Sequence, residues 1–281
     1  MRIPALLVAS ILGSVAASPQ TLQLPPRSPE ALAGSAFAAS ALTLPRDARE
    51  EQILAQISRG NVPDHLRRLV PITLTETIDG AEQTLTYYVL PDYLSVGSSD
   101  DYILMPMTPQ LAQAIADTAG CILPSRKMVN DIYQAAPLKL RPQPIPPSDA
   151  MMSVPFFIQH NDSIQRQRRT LFGDVPNGTM VAGHKKDVII SNSIHANLTA
   201  GVPSPVVIYG WHRADGVPIQ PLYNGHAASY VDYSHGIRLV QRSARLNARP
   251  VDLRNLLRDP DLSILVSDEG VIPHPAYDAV R

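Results

Sequence analysis

Proline restricts this chain more than any other feature: 27 of its 281 residues are proline. Each one lacks a backbone N–H and clashes with the preceding helical turn, so few segments can form long helices. The other usual brace for short elements is missing. Cys121 is the only cysteine, so no intramolecular disulfide can form and an apolar core has to carry the stability. A length of 281 residues suffices for such a core, in one large domain or two small ones. The formal net charge of -1 argues against a nucleic-acid partner recognised by charge alone.

The N-terminus reads as an address. Arg2 precedes the apolar run IPALLVASILGSVAA, and small residues follow. This is the pattern of a secretory signal peptide over 1–17, cleaved after Ala17. The run is short for a membrane span, and no second candidate follows, so no transmembrane span is expected. The expected location is extracellular. Sequons at Asn161, Asn177 and Asn197 fit a secreted glycoprotein.

Residues 18–45, rich in Pro, Ala and Ser, read as a flexible arm or linker. Residues 46–136 read as an N-terminal α+β lobe. In it, Ile53, Leu54 and Ile57 mark a helix that stops at Gly60, and NVPDHLRRL gives a second short helix. Two alternating runs, about 70–77 and 83–90, flank Asp79-Gly80 and predict a β-hairpin. Thr108 with Pro109, and Ser125, are helix-start signals. Residues 137–150 are a proline-rich connector, dividing two lobes or merely crossing one domain's surface. Residues 151–281 read as a C-terminal β-rich lobe, with a partly helical start and strands at DVIISN, SPVVIYGW, YVDY, IRLVQRSARL and SILVSD. The whole predicts an α+β fold: antiparallel hairpins and sheet, with helices packed to one side.

Chemistry-bearing residues concentrate in that second half. Six of the eight histidines fall between 160 and 235. His184, Asp187, His226 and His235 are the types that zinc coordination needs, and zinc is the cofactor expected if the chain holds one. Asp232, His235 and Ser234 are candidate catalytic groups, as general base, acid–base or ligand, and nucleophile respectively. Trp211, His212, Asn224 and Arg238 are candidate substrate contacts, Arg238 for a carboxylate. If 224–240 were one strand, His226, Asp232, Ser234 and Arg238 would share a face, and a bulge at Gly236 would be needed to bring His235 to it.

The run SHGIRL, Ser234 to Leu239, resembles the active-site tail of L,D-transpeptidases, which reads Ser-His-Gly-Cys-Ile-Arg. The nucleophilic cysteine of that tail is absent here; the resemblance implies site roles for His235 and Arg238. His226 and Asp232, six residues apart, and Asp232-Tyr-Ser-His235 are similar to the His/Asp and Glu-x-x-His elements of zinc D-Ala-D-Ala peptidases. That resemblance implies Asp232 as base and His235 as ligand, with His184 and Asp187 as further ligands. Together these readings predict a secreted hydrolase, metal-dependent in one form, acting on an extracellular or cell-wall polymer. The alternative is a non-catalytic secreted module binding glycan or protein through Trp211, Tyr223, Tyr230 and Tyr233.

Overall fold

The computed structural model describes residues 20–173, 175–196 and 204–278. The signal-peptide reading of 1–17 lies outside the described residues. From residue 20 onward, the stretch expected to be a loose arm is packed. Leu22 donates its N–H to Arg67, Thr21 bridges Arg68, and helix α1 (Gly34–Ala41) buries Phe37, Ala38 and Ala41. Arg27 bonds the Asn61 side chain and the Ala31 carbonyl. Gly34 is what lets α1 dock, since a Cβ there would fall 2.4 Å from the Tyr102 backbone. Apolar burial at Phe37 outweighs the disorder-like composition around it; one fully buried side chain of that kind contributes about 1.5–3 kcal/mol.

Helix α2 (Arg46–Ser58) follows, burying Arg49, Ile53 and Ile57. The expected second helix is only a 3-10 turn, Asp64–Leu66. Strands β1 (Val70–Ile78) and β2 (Ala81–Val89) pair across Asp79 and Gly80, both at positive φ as a type I′ turn requires. Short strands β3 (Ser95–Gly97) and β4 (Tyr102–Leu104) pair with each other. Helices α3 (Pro109–Thr118) and α4 (Arg126–Ala135), flanking β5 (Cys121–Ile122), start at Thr108 and Ser125, whose side chains accept from Leu111 and Met128 N–H groups. Cys121 is buried, and burial pushes its thiol up to about 12, so it behaves as a core residue.

Strand β6 (Leu138–Lys139) opens the connector, and helix α5 (Val154–Phe172) is helical throughout. Asn161 sits inside α5, buried, with its Oδ1 accepting from Leu104 N–H, so its sequon is sealed in the fold. Asn177 is exposed, and Asn197 lies outside the described residues. Then come β7 (Val181–Ala182), β8 (Lys186–Val188), β9 (Pro205–His212), β10 (Pro218–Ala227), β11 (His235–Gly236), β12 (Val240–Gln241), β13 (Ser243–Leu246), β14 (Arg249–Asp252) and α6 (Leu253–Arg258). YVDY is not a strand but an irregular segment ending in a turn at Tyr233, and SILVSD holds a 3-10 turn, Ser263–Leu265, in place of the expected last strand.

The fold is α+β with antiparallel sheets, and two short parallel pairs, β6–β7 and β8–β11, are added to them. The halves on either side of the connector are not separate lobes. Strands β12 and β13 pair with β2 inside one six-stranded sheet, and one apolar core runs from Leu22 to Tyr277. The 137–150 connector crosses the surface, stitched by Leu140 N–H to Ala182, Arg141 N–H to Gln167 and Ile145 N–H to the Tyr233 hydroxyl. A second sheet, in the order β10-β9-β8-β11, carries most of the residues singled out above.

Candidate functional site

Strand β8 divides the polar residues into two sets. Because side chains alternate along a strand, Lys185 and Asp187 face one way and Lys186 the other. On the first side lies a sealed layer. Asp187 accepts from the Tyr93 hydroxyl at 2.8 Å, and the Arg238 guanidinium lies 4.3 Å from the centre of the Tyr93 ring. Arg238 is fully buried and spends its two terminal nitrogens on main chain, donating to Leu90 at 2.9 Å and Val181 at 2.8 Å. Asp92 lies 3.6 Å from Arg168 and accepts from His184 Nε2 at 3.1 Å. Lys185 donates to the Tyr233 carbonyl at 2.6 Å.

Burial sets the charges in this layer. It pushes the Asp187 carboxyl up to about 7, against the pull of Arg238 and Tyr93. It brings the Lys185 ammonium down to about 7, against Asp232 and Asp92. Burial also opposes ionisation of Asp92, but His184, Arg238 and Arg168 outweigh it and hold the carboxyl at about 2. His184 itself is pushed down by burial, against the pull of Asp92, which its Nε2 contacts. His160 packs against Tyr233 with both ring nitrogens unpartnered, and burial lowers it strongly.

On the other side the molecule opens. Strand β10 is an edge strand, and after Ala227 the chain turns back, with Tyr230 N–H bonding the Ala227 carbonyl. Asp232 holds this turn: its Oδ1 accepts from Ser234 N–H at 2.7 Å and Ser234 Oγ at 2.5 Å, and its Oδ2 from the Tyr230 hydroxyl at 3.0 Å. The Tyr230 ring stacks on His226, centres 4.0 Å apart, and His226 meets Tyr223 edge-on at 5.1 Å. Tyr223 is 41% exposed, so the three rings form a ladder reachable from solvent. Beside it is a hollow of about 540 Å³ bounded by Arg46, Arg49, Met152, His226, Tyr230 and the backbone between the last two. His235 lies beneath, edge-on to Tyr230 at 5.8 Å, with both ring nitrogens unpartnered; burial lowers it to about 4.

The structure thus brings His226, Asp232, Ser234 and His235 together around Tyr230, and places His184, Asp187 and Arg238 in the sealed layer. Among the described residues, no three His, Cys, Asp or Glu side chains gather as a metal-ion set. His184, Asp187, His226 and His235 therefore do not converge as zinc ligands. Ser234 is buried and its hydroxyl is committed to Asp232, an arrangement that closes a turn rather than arming a nucleophile. Arg238 is not free for a substrate carboxylate. Trp211 and His212 are buried rather than on a rim: Trp211 Nε1 donates to the His184 carbonyl, and His212 stacks on Tyr133 and bonds Asn130. Asn224 donates to the Ser193 carbonyl. No continuous strand runs through 224–240, so the shared face does not exist. Gly236 forms no bulge; it is needed because a Cβ would meet Lys185 at 2.6 Å and the Tyr93 ring at 2.7 Å.

Sequence reasoning missed Arg46, Arg49, Asp92, Tyr93 and Arg168. The one signal available was RDAR, in which Arg46 and Arg49 stand three apart on one helical face. Trp211 carries a further mark, a φ of 56°, rare for a bulky side chain. It lets the strand turn its indole under Lys186, whose ammonium sits 5.0 Å from the ring centre. No protein-family model, no curated protein and no solved structure matches this chain. Among the described residues no helix is long and apolar enough to cross a membrane.

Proposed function

We propose that this protein is an exported, non-catalytic module that binds extracellular glycan through the Tyr223–His226–Tyr230 ladder. The observation that carries this reading is accessibility. The aromatic ladder and the hollow beside it face solvent, while Asp187, His184, Arg238, Ser234 and His235 are shut in by their neighbours. Stacked aromatic rings offer sugars a flat apolar face at low entropic cost. The N-terminal run of Arg2 and apolar residues supports export. Of the four aromatics named from sequence, Trp211 and Tyr233 are buried, which leaves Tyr223 and Tyr230, joined by His226, as the platform. Calorimetric titration of the protein with soluble oligosaccharides tests it. Binding should weaken at least about tenfold in Tyr230→Ala, the loss of one buried stacking contact. Binding unchanged in both Tyr223→Ala and Tyr230→Ala sinks the reading.

Hydrolysis of an extracellular or cell-wall polymer is the second reading. Asp232, held below the usual carboxylate range against its burial, in part by its hydrogen bonds from Ser234, and the His235 ring beneath Tyr230, lowered to about 4 by burial, favour it, because a carboxylate beside an imidazole can move a proton. New reducing ends or amines released from a polymer by the wild type, and lost in His235→Gln, would place it first.

A further inference from the structure

The hollow beside the aromatic ladder is lined by a buried guanidinium that forms no ion pair, although the charge of the neighbouring Glu50 acts on it from a distance. Arg49 is 5% exposed and lines the hollow, yet among the described residues it pairs with no carboxylate. Its Nε–H is buried with no hydrogen-bond partner, and its only hydrogen bond is from one terminal nitrogen to the Met152 carbonyl at 3.3 Å. The Phe157 ring centre lies 5.1 Å from the guanidinium carbon. The neighbouring Glu50 is turned away, both oxygens taken by Thr108 N–H and hydroxyl. Buried guanidinium groups are ordinarily paired, because an unpaired charge out of water is costly. By contrast, Arg168 lies 3.6 Å from Asp92, and Arg238 donates from both terminal nitrogens to main chain.

Resting on the glycan reading above, we infer that Arg49 and the hollow around it form a carboxylate subsite, and that the glycan recognised is an acidic one carrying hexuronic acid or an equivalent ring carboxylate. The volume, about 540 Å³, is in the range of small-ligand sites and takes a sugar ring with its substituents. A guanidinium presents parallel N–H groups that match a carboxylate, and the buried Nε–H of Arg49 has no partner within the fold. The ladder supplies the face against which the pyranose ring lies. Charge selects a carboxylate over a phosphate monoester. Arg46, at the rim, already spends Nε and one terminal nitrogen on Asp47 and donates the other to Ser229, so Arg49 is the one guanidinium lining the hollow that is left without an ion pair. One negative charge balances it.

Free galacturonate and free galactose, titrated into the ¹⁵N-labelled full chain while the Arg49 Nε–H resonance is followed, test the subsite directly. Galacturonate should shift that resonance and galactose should not. No shift up to about 100 mM galacturonate, or an equal shift with inorganic phosphate, overturns the inference. Oligogalacturonate against its methyl ester then tests selectivity in the polymer. The acid should bind at least tenfold tighter, and Arg49→Met, which matches the side chain in length, should erase the difference while Arg49→Lys keeps part of it. Equal affinity for acid and ester overturns the inference but leaves the glycan reading standing. A resonance shift with the monosaccharide and no binding of any oligomer keeps the subsite and removes the polymer reading.

Discussion

The two faces of β8 hold the same kinds of side chain and put them to opposite uses. On one face Asp92, Asp187, Arg168, Arg238, His184 and Lys185 neutralise one another out of reach of solvent. On the other, Arg46, Arg49, His226 and Tyr230 surround a space open to it. The lesson is that residue type does not mark a functional site. What marks it is whether the charges face one another out of reach of solvent or border a space open to it. In the sealed layer Asp92 and Asp187 face Arg168, Arg238 and Tyr93; at the hollow Arg49 forms no ion pair.

The sharpest way to break this contrast is Arg238→Met. Removing the cation leaves Asp92 and Asp187 short of a buried counter-charge, and the loss should be about 3–5 kcal/mol in urea unfolding. Arg46→Met, on the open side, should change stability by no more than about 0.5 kcal/mol. Similar losses for the two variants would show that the layer is not a closed charge network. Next in size is Asp232→Ala, which strips the turn of three hydrogen bonds. About 1–3 kcal/mol should go, together with the position of Tyr230 and hence glycan affinity. A variant that keeps full affinity would detach the ladder from this turn.

A subtler probe is His160→Phe. It deletes two buried, unpartnered nitrogens and should raise stability by about 1 kcal/mol at neutral pH, read by thermal unfolding. The pH profile sharpens the same point. His160, His212 and His235 titrate lower in the folded chain than in the unfolded one, His212 and His235 at about 4. As pH falls from about 6.5 towards 4, the unfolded chain takes up protons that the folded chain refuses, so stability falls. Asp187, raised to about 7, has the opposite sign: the folded chain keeps a proton that the unfolded one loses above about 4, so its contribution declines as pH rises through that window. Six histidines titrate low in the folded chain (His65, His160, His184, His212, His226 and His235) against three carboxyls that titrate high (Glu50, Asp131 and Asp187), so acid should win, and His160→Phe should flatten the slope. A stability that rises steadily below pH 6 would contradict the charge states assigned to the layer. Smallest of all, Tyr223→Phe removes only an exposed hydroxyl and should alter stability by no more than a few tenths of a kcal/mol.

Much of the local structure is legible in the sequence, because its causes are local. Asp79-Gly80 needs positive φ at both positions and gets a hairpin; Thr108-Pro109 and Ser125 cap helices within four residues of themselves. The SILVSD misreading is instructive. Its apolar run has the composition of a strand, but Ser263–Leu265 form a 3-10 turn and Leu265 and Val266 are buried. The candidate site was half legible: His226, Asp232, Ser234 and His235 do assemble, yet around a turn held by Asp232 rather than on one strand face.

The chain by itself determined its short elements, its caps and hairpin, and its dependence on an apolar core, since proline, glycine and side-chain periodicity act over a few residues. Only the tertiary structure decided which polar residues are sealed and which are open. That depends on Asp92, Arg168 and Arg238 arriving at β8 from distant parts of the chain while no carboxylate forms an ion pair with Arg49, and burial and pairing of charge are fixed by neighbours in space, not in sequence.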